Sequence, residues 1–156
     1  MADLTTTISE SVTINGSVRG SSNTLTITGI EHTFERVVTI PADTDGTVLL
    51  TKETITSANG AVDIQDTKYI RITNLDSTNS VILSLQIDSG NDDSAADESC
   101  SILLEAGHSF IMGTPHDSIA VSDANATIIT TLHDLESILV DSSDQAVKLE
   151  VFAASV

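Results

Sequence analysis

The residues able to do chemistry fall into three groups. The first is Asp88–Ser99, a polar excursion that gathers Asp88, Asp92, Asp93, Asp97 and Glu98. Calcium takes about six to eight oxygen ligands, and an EF-hand loop sets its acids two residues apart around a glycine. Asp88, Asp92 and Asp93 do not follow that spacing. They stand as calcium candidates only, and a solvated loop is the expectation. The second group is His108, His116 and Asp117, with His32 and His133 elsewhere. A zinc centre needs three or four converging ligands, and two histidines eight positions apart match no established spacing. Surface or hydrogen-bonded histidines are therefore expected, with no metal ligand and no cofactor. The third is Cys100, placed at the mouth of an apolar strand, where an inert thiol is the ordinary outcome. Pairing Cys100 with His108 as a nucleophile and base has less support still, so no catalytic residue is assigned.

Recognition chemistry is thin as well. Sugar sites stack pyranose faces on Trp or Tyr, and this chain has no Trp and one Tyr, Tyr69, expected on an outward face. Asn15-Gly16-Ser17 and Asn125-Ala126-Thr127 match the N-glycosylation sequon. Met1–Glu10 has no basic region followed by an apolar run, so no secretory signal is expected and the sequons are idle. No stretch approaches the roughly 20 apolar residues of a membrane span.

Charge excludes more. Six basic residues face 23 acidic ones, for a net charge of -17. Nucleic-acid binding rests on Lys and Arg neutralising phosphates, so no nucleic-acid partner is expected, and anionic membranes are disfavoured by the same repulsion. Strong like charge keeps a chain soluble but strains its compact state, and salt screens that strain. The expectation is a protein that works in saline surroundings and is more stable there. A single Cys gives no internal disulfide framework.

The elements that must position these residues are strands. Leu4, Ile8, Val12 and Ile14 share one parity against Thr5, Thr7, Ser9, Ser11 and Thr13, a strand with one apolar face. Asn15-Gly16 and Gly20–Asn23 read as turns. Thr24–Thr28, Phe34–Ile40, Val48–Leu50 and Ile55 follow, punctuated by Pro41, Asp43–Gly46 and Asn59-Gly60. Tyr69–Thr73 and the stripe Val81, Leu83, Leu85, Ile87 read as a hairpin joined through Asn74–Ser80. Further strands are expected at Ile102–Leu104, Ser109–Met112, Ser118–Val121, Ala126–Leu132, Leu135–Val140 and Val147–Val151. The stretch Thr131–Leu139 also admits a helix, but a bent strand is preferred. Aromatics are scarce, so the core is aliphatic. The fold class is all-β: one domain over 1–156, an antiparallel β-sandwich or jelly-roll-like barrel. Leu4, Ile8, Val12 and Ile14 are the candidate interaction residues, on a segment that is either an arm pairing with a neighbouring chain or the first strand of the same sheet.

Four stretches carry a resemblance. ISESVTINGSVRGSSNTLTITGI, ITSANGAVDIQDTKYIRITNLDSTNSVILSLQI, EAGHSFIMGTP and VKLEVFAASV resemble small virion structural proteins of marine tailed bacteriophages, cyanophages especially. The likeness covers nearly the whole length. DTKYIRITNLD followed by an AGxSFxxGTP segment is its most distinctive part, and the acidic insertion Asp88–Glu98 is longer than the resemblance leads one to expect. It implies a non-enzymatic virion component, assembled in the cytoplasm of an infected bacterium. The preferred role is a head decoration or cement subunit outside the capsid, a homo-oligomer whose partners are the major capsid protein or other virion proteins. A tail, neck or fibre component is the alternative. From a different class, a cupin-like metal-binding small-molecule protein would use His108 and His116 as ligands.

Overall fold

The computed structural model describes residues 2–53, 61–89, 96, 98–122 and 128–156. Four strands come first: β1 (Ala2–Ser9), β2 (Val12–Ile14), β3 (Ser17–Arg19) and β4 (Ser22–Ile30). β1 pairs antiparallel with β4, and β2 with β3. From Leu4↔Ile27 to Ile14↔Ser17 the partner numbers keep a constant sum, so one hairpin register runs through both pairs. Asn15 (φ 52) and Gly16 (φ 78) close it. A two-residue hairpin turn of type I′ needs positive φ at both positions, which Asn-Gly supplies at least cost. Among the described strands these pair with none that follow; they form an arm.

The body follows from a single linking residue, Glu31. It contains β5 (His32–Ile40), β6 (Asp45–Lys52), β7 (Ala61–Asp63), β8 (Thr67–Asn74), β9 (Val81–Asp88), β10 (Glu98–Leu104), β11 (Ser109–Met112), β12 (Asp134–Asp141) and β13 (Val147–Ser155). One sheet runs β11-β8-β13-β5 and the other β10-β9-β12-β6-β7. The first strand of the body pairs with the last, β5 with β13, and the second with the next to last, β6 with β12. Continued inward, that nesting is the double Greek-key winding of a jelly roll. The result is an open sandwich rather than a closed barrel. β7 joins β6 in parallel, the one departure from antiparallel pairing among the described strands.

Alternation explains the core. Val147, Leu149, Val151 and Ala153 of β13 point inward, while Lys148, Glu150 and Phe152 face out. They meet Ile70 and Ile72 in the same sheet and Val48, Leu83, Leu135, Ile138 and Val140 from the opposite sheet, all completely buried. Burial of that kind contributes about 25 cal/mol per Å² of apolar surface removed from water. Thr51 sits among them without penalty because its hydroxyl donates to the carbonyls of Leu135 and Glu136.

Several sequence expectations are corrected. Tyr69–Thr73 and Val81–Ile87 are strands, but they do not form a hairpin: β8 and β9 lie in opposite sheets and face each other across the core. Two inward aliphatic stripes satisfy side-by-side and face-to-face packing equally well, and the corner between them decides. Asn74, fully buried, donates through Nδ2 to the carbonyls of Asn79 (2.8 Å) and Leu104 (3.3 Å), and its Oδ1 accepts from Asp76 N (3.0 Å). Ser118–Val121 is no strand and keeps only an isolated bridge, Ile119↔His133. Ile128–Leu132 is no strand either, and Ile128 is exposed. Gly20–Asn23 is not a turn, since the hairpin register passes through it. Ile55, Asn59-Gly60 and Ala126-Thr127 lie outside the described residues.

Candidate functional site

The arm concentrates what the body hides. In the β1–β4 ribbon, Leu4↔Ile27 and Thr6↔Leu25 share one face, with Ile8 beside Asn23, while Thr5↔Thr26 and Thr7↔Thr24 form the other. Thr7 and Thr24 join by their hydroxyls at 3.0 Å. The base of the apolar face closes on the outer surface of the four-stranded sheet: Leu4 and Ile27 pack with Ile30, Tyr69, Phe152 and Ala154. Tyr69 and Phe152 meet edge to face, ring centroids 6.1 Å apart. Tyr69 does point outward, as expected, yet only 5% of it is exposed because the arm covers it. It is closed to sugar stacking.

Further out the arm lifts away. Ile8 and Leu25 are about half exposed and line a groove of about 290 Å³ against Lys68, Tyr69, Ile111 and Met112. Val12 and Ile14 are about half exposed, and Val18 is 73% exposed on the opposite face. Of the four candidate interaction residues, Leu4 is taken up by the chain's own body, and Ile8, Val12 and Ile14 remain available. Among the described strands, the segment pairs only within its own hairpin and is not a strand of the main sheets.

Charge divides along the same line. Residues 2–30 hold two acids, Asp3 and Glu10, and one base, Arg19, for a net of -1; the remaining residues carry the other -16 of the total -17. The arm thus combines a low charge with five exposed large apolar side chains, Ile8, Val12, Ile14, Val18 and Leu25, although the body exposes others, Val37, Leu103 and Ile128 among them.

The acidic and histidine residues resolve differently. Asp88 does not sit in a solvated loop: it ends β9, only 5% exposed, directly opposite Asp134, equally buried at the start of β12. Asp92, Asp93 and Asp97 lie outside the described residues. Asp134 Oδ1 lies 2.9 Å from His116 Nδ1 and accepts from Asp117 N at 2.7 Å. His116 Nε2 lies 3.3 Å from Asp117 Oδ2. Each of the three offers a donor atom within 4.8 Å of the others.

The segment that carries His116 and Asp117 is held to the start of β12 by Leu135 N→Pro115 O (2.9 Å), Ser118 N→His133 O (2.9 Å) and His133 N→Ile119 O (2.8 Å). Asp117 has φ 45, a left-handed conformation that Asp tolerates better than most residues. His108 is not part of this cluster; its Nδ1 lies 3.1 Å from Ala106 O on the exposed turn before β11. Cys100 is a half-buried free thiol on β10, paired with Leu85. Sequence reasoning missed Asp134, which is 18 positions from His116. The backbone hydrogen bonds that hold the turn after β11 to the start of β12 bring them together.

No family model matches the chain, and no curated protein matches it. Among solved structures, one described under the words "Bacillus endospore appendages form a novel family of disulfide-linked pili" aligns over 83% of this chain and 94% of that chain. It shares 12% identity with this chain, at a TM-score of 0.34.

Proposed function

We propose that this is a non-enzymatic structural subunit whose copies associate through the N-terminal arm, with the acidic body turned away from the contact. The observation that carries this reading is the arm itself: a regular hairpin outside the sandwich, nearly uncharged, with Ile8, Val12, Ile14, Val18 and Leu25 exposed. Two bodies of -16 repel. They approach at least cost through the segment with almost no charge. Both outer edges of the β1–β4 ribbon are unpaired by other described strands, so a second arm can extend it by main-chain hydrogen bonds.

The finer reading is a decoration or cement subunit on the outside of a phage head, in line with the sequence resemblance to marine phage virion proteins. In that role the contacts between copies oppose the pressure of packaged DNA, and the acidic faces look outward. The test is the copy number of this chain in purified particles, by quantitative mass spectrometry against the major shell protein. A ratio near that of the shell protein supports decoration. A few copies per particle moves the protein to the tail, neck or fibre, and absence from particles overturns the virion reading.

A further inference from the structure

We propose that the outer face of the five-stranded sheet receives the arm, the hairpin tip of a second copy seating on the row Leu103, Ile82, Asp141, Asp45. This rests on the assembly reading above and deepens it by naming the receiving surface. Among the described strands of the body, Leu103↔Ile82 is the one pair in which both partners are exposed large aliphatics, 59% and 38% exposed. The register carries the same row on through Ile82↔Asp141 and Asp141↔Asp45. The next row, Ser101, Ser84, Leu139 and Thr47, has no charge, and neither has the one after it, from Ser99 to Leu50. A stretch of sheet is thus left uncharged on a chain of net -17.

The hairpin tip presents the matching set. Val12↔Arg19 and Ile14↔Ser17 put Val12, Ile14 and Arg19 on one face, all exposed. Arg19 is the only base in residues 2–30. Two aliphatics and a cation on the tip therefore face two aliphatics and two carboxylates on the row. Asp45 is exposed; Asp141 is half-buried, its Oδ1 accepting from Ser143 N at 2.7 Å. The spacings agree: neighbours in the row stand about 4.8 Å apart, and Val12 stands about 5 Å from Arg19 across the hairpin. In such a contact the apolar side chains supply affinity and the opposite charges supply register.

The occupant is a second copy because each arm is anchored on the opposite side of its own sandwich. Leu4 and Ile27 hold it to Tyr69 and Phe152 on the outer surface of the four-stranded sheet. That surface is the poorer recipient, since its own arm covers one end and the Arg71–Glu150 ion pair (2.6 Å) crosses it. The giving and receiving surfaces differ, so the contact is heterologous: each copy gives one arm and takes another. Contacts of this kind close into a ring or run on as an open chain.

The test is sedimentation of two full-length variants, alone and mixed. V12D/I14D has a spoiled tip and an intact face; L103D has a spoiled face and an intact tip. Each alone should be monomeric, and the mixture should form a dimer of one copy of each and nothing larger. Leu103 and Ser101 are exposed on the same edge strand, so L103D should keep the parent's melting profile, and S101R blocks the same face independently. At about 0.15 M salt, where the Debye length is about 8 Å, R19D should weaken association at least tenfold and R19D/D45R should restore it. If L103D and S101R assemble as the parent does while V12D/I14D does not, this proposal is overturned and the arm reading survives through pairing of ribbon edges. A mixture that stays monomeric also overturns the proposal, and a monomeric parent overturns both it and the arm reading.

Discussion

Gly20 passes so close to Glu10 that a Cβ built on it would lie 1.9 Å from the Glu10 carbonyl oxygen and 2.6 Å from its carbonyl carbon. Its φ of 143 adds a second reason for glycine. The contact lies where the β1–β4 ribbon meets the β2–β3 tip, beside the Glu10 N→Ser21 O hydrogen bond of 2.8 Å. Backbone cannot yield as a side chain tip does. G20A is therefore expected to break the register between the two halves of the arm. Amide shifts of residues 2–30 should move while the body keeps its stability to within about 0.5 kcal/mol. Arm shifts identical to those of the parent protein would contradict this.

Core truncation should act on the body alone. Leu83→Ala removes a completely buried side chain at the centre of the sandwich. The loss of apolar contact plus the cavity left behind should cost about 2–5 kcal/mol, measured by urea unfolding. Leu25→Ala, on the exposed part of the arm, should cost well under about 1 kcal/mol on the same assay.

The Asn74–Asn79 corner should be sensitive to a single polar atom. Asn74→Ala leaves the Asn79 and Leu104 carbonyls and the Asp76 N–H without the side-chain partners they have in the native protein. Unsatisfied groups of this kind cost about 1–3 kcal/mol each when buried, so a loss of at least about 2 kcal/mol in urea unfolding is expected.

Asp76 gives a pH signature to the same corner. Backbone N–H groups of Asn79 and Thr78 donate to its carboxylate and hold it below the ordinary aspartate value of 3.8. A depressed folded value means the contribution to stability is fully present above the unfolded value and is lost as pH falls through the folded one. Part of the acid destabilisation below pH 3.8 should therefore vanish in D76N. Identical acid-unfolding curves for D76N and wild type would show that these hydrogen bonds do not favour the charged form.

Salt should stabilise the fold. With a net charge of -17, self-repulsion falls as the Debye length shrinks from about 10 Å at 0.1 M to about 3 Å at 1 M salt. The melting temperature should rise across that range, and a flat or falling profile would count against a charge-strained body.

The sequence carried the strands but not their partners. Alternation at Phe34–Ile40, Ser109–Met112 and Val147–Val151 marked real strands because each buries one face, and Asn15-Gly16 marked its turn because few dipeptides accept two positive φ values. Pairing was not legible. Ile70 and Ile72 present the same inward stripe whether Leu83 lies beside them or across from them. Ser118–Val121 has strand composition, but it forms only the isolated bridge Ile119↔His133 and no ladder. The cluster was half legible: His116 and Asp117 stood out by type, whereas Asp134 looked like one acid among 23. Burial beside His116 distinguishes it, and that burial arises only when the turn after β11 docks on the start of β12. The arm was legible as a parity pattern, its separation from the main sheets only in three dimensions.

If copies of this chain meet through the arm, sedimentation of the full chain in about 0.5 M salt, beside a V12D/I14D variant, will show it. Both replaced residues are exposed and share one face of the hairpin tip, so the variant should keep the parent's melting profile. The expected result is an oligomer for the parent protein and a monomer for the variant. A parent that stays monomeric at every concentration, or a variant that assembles as its parent does, would contradict it.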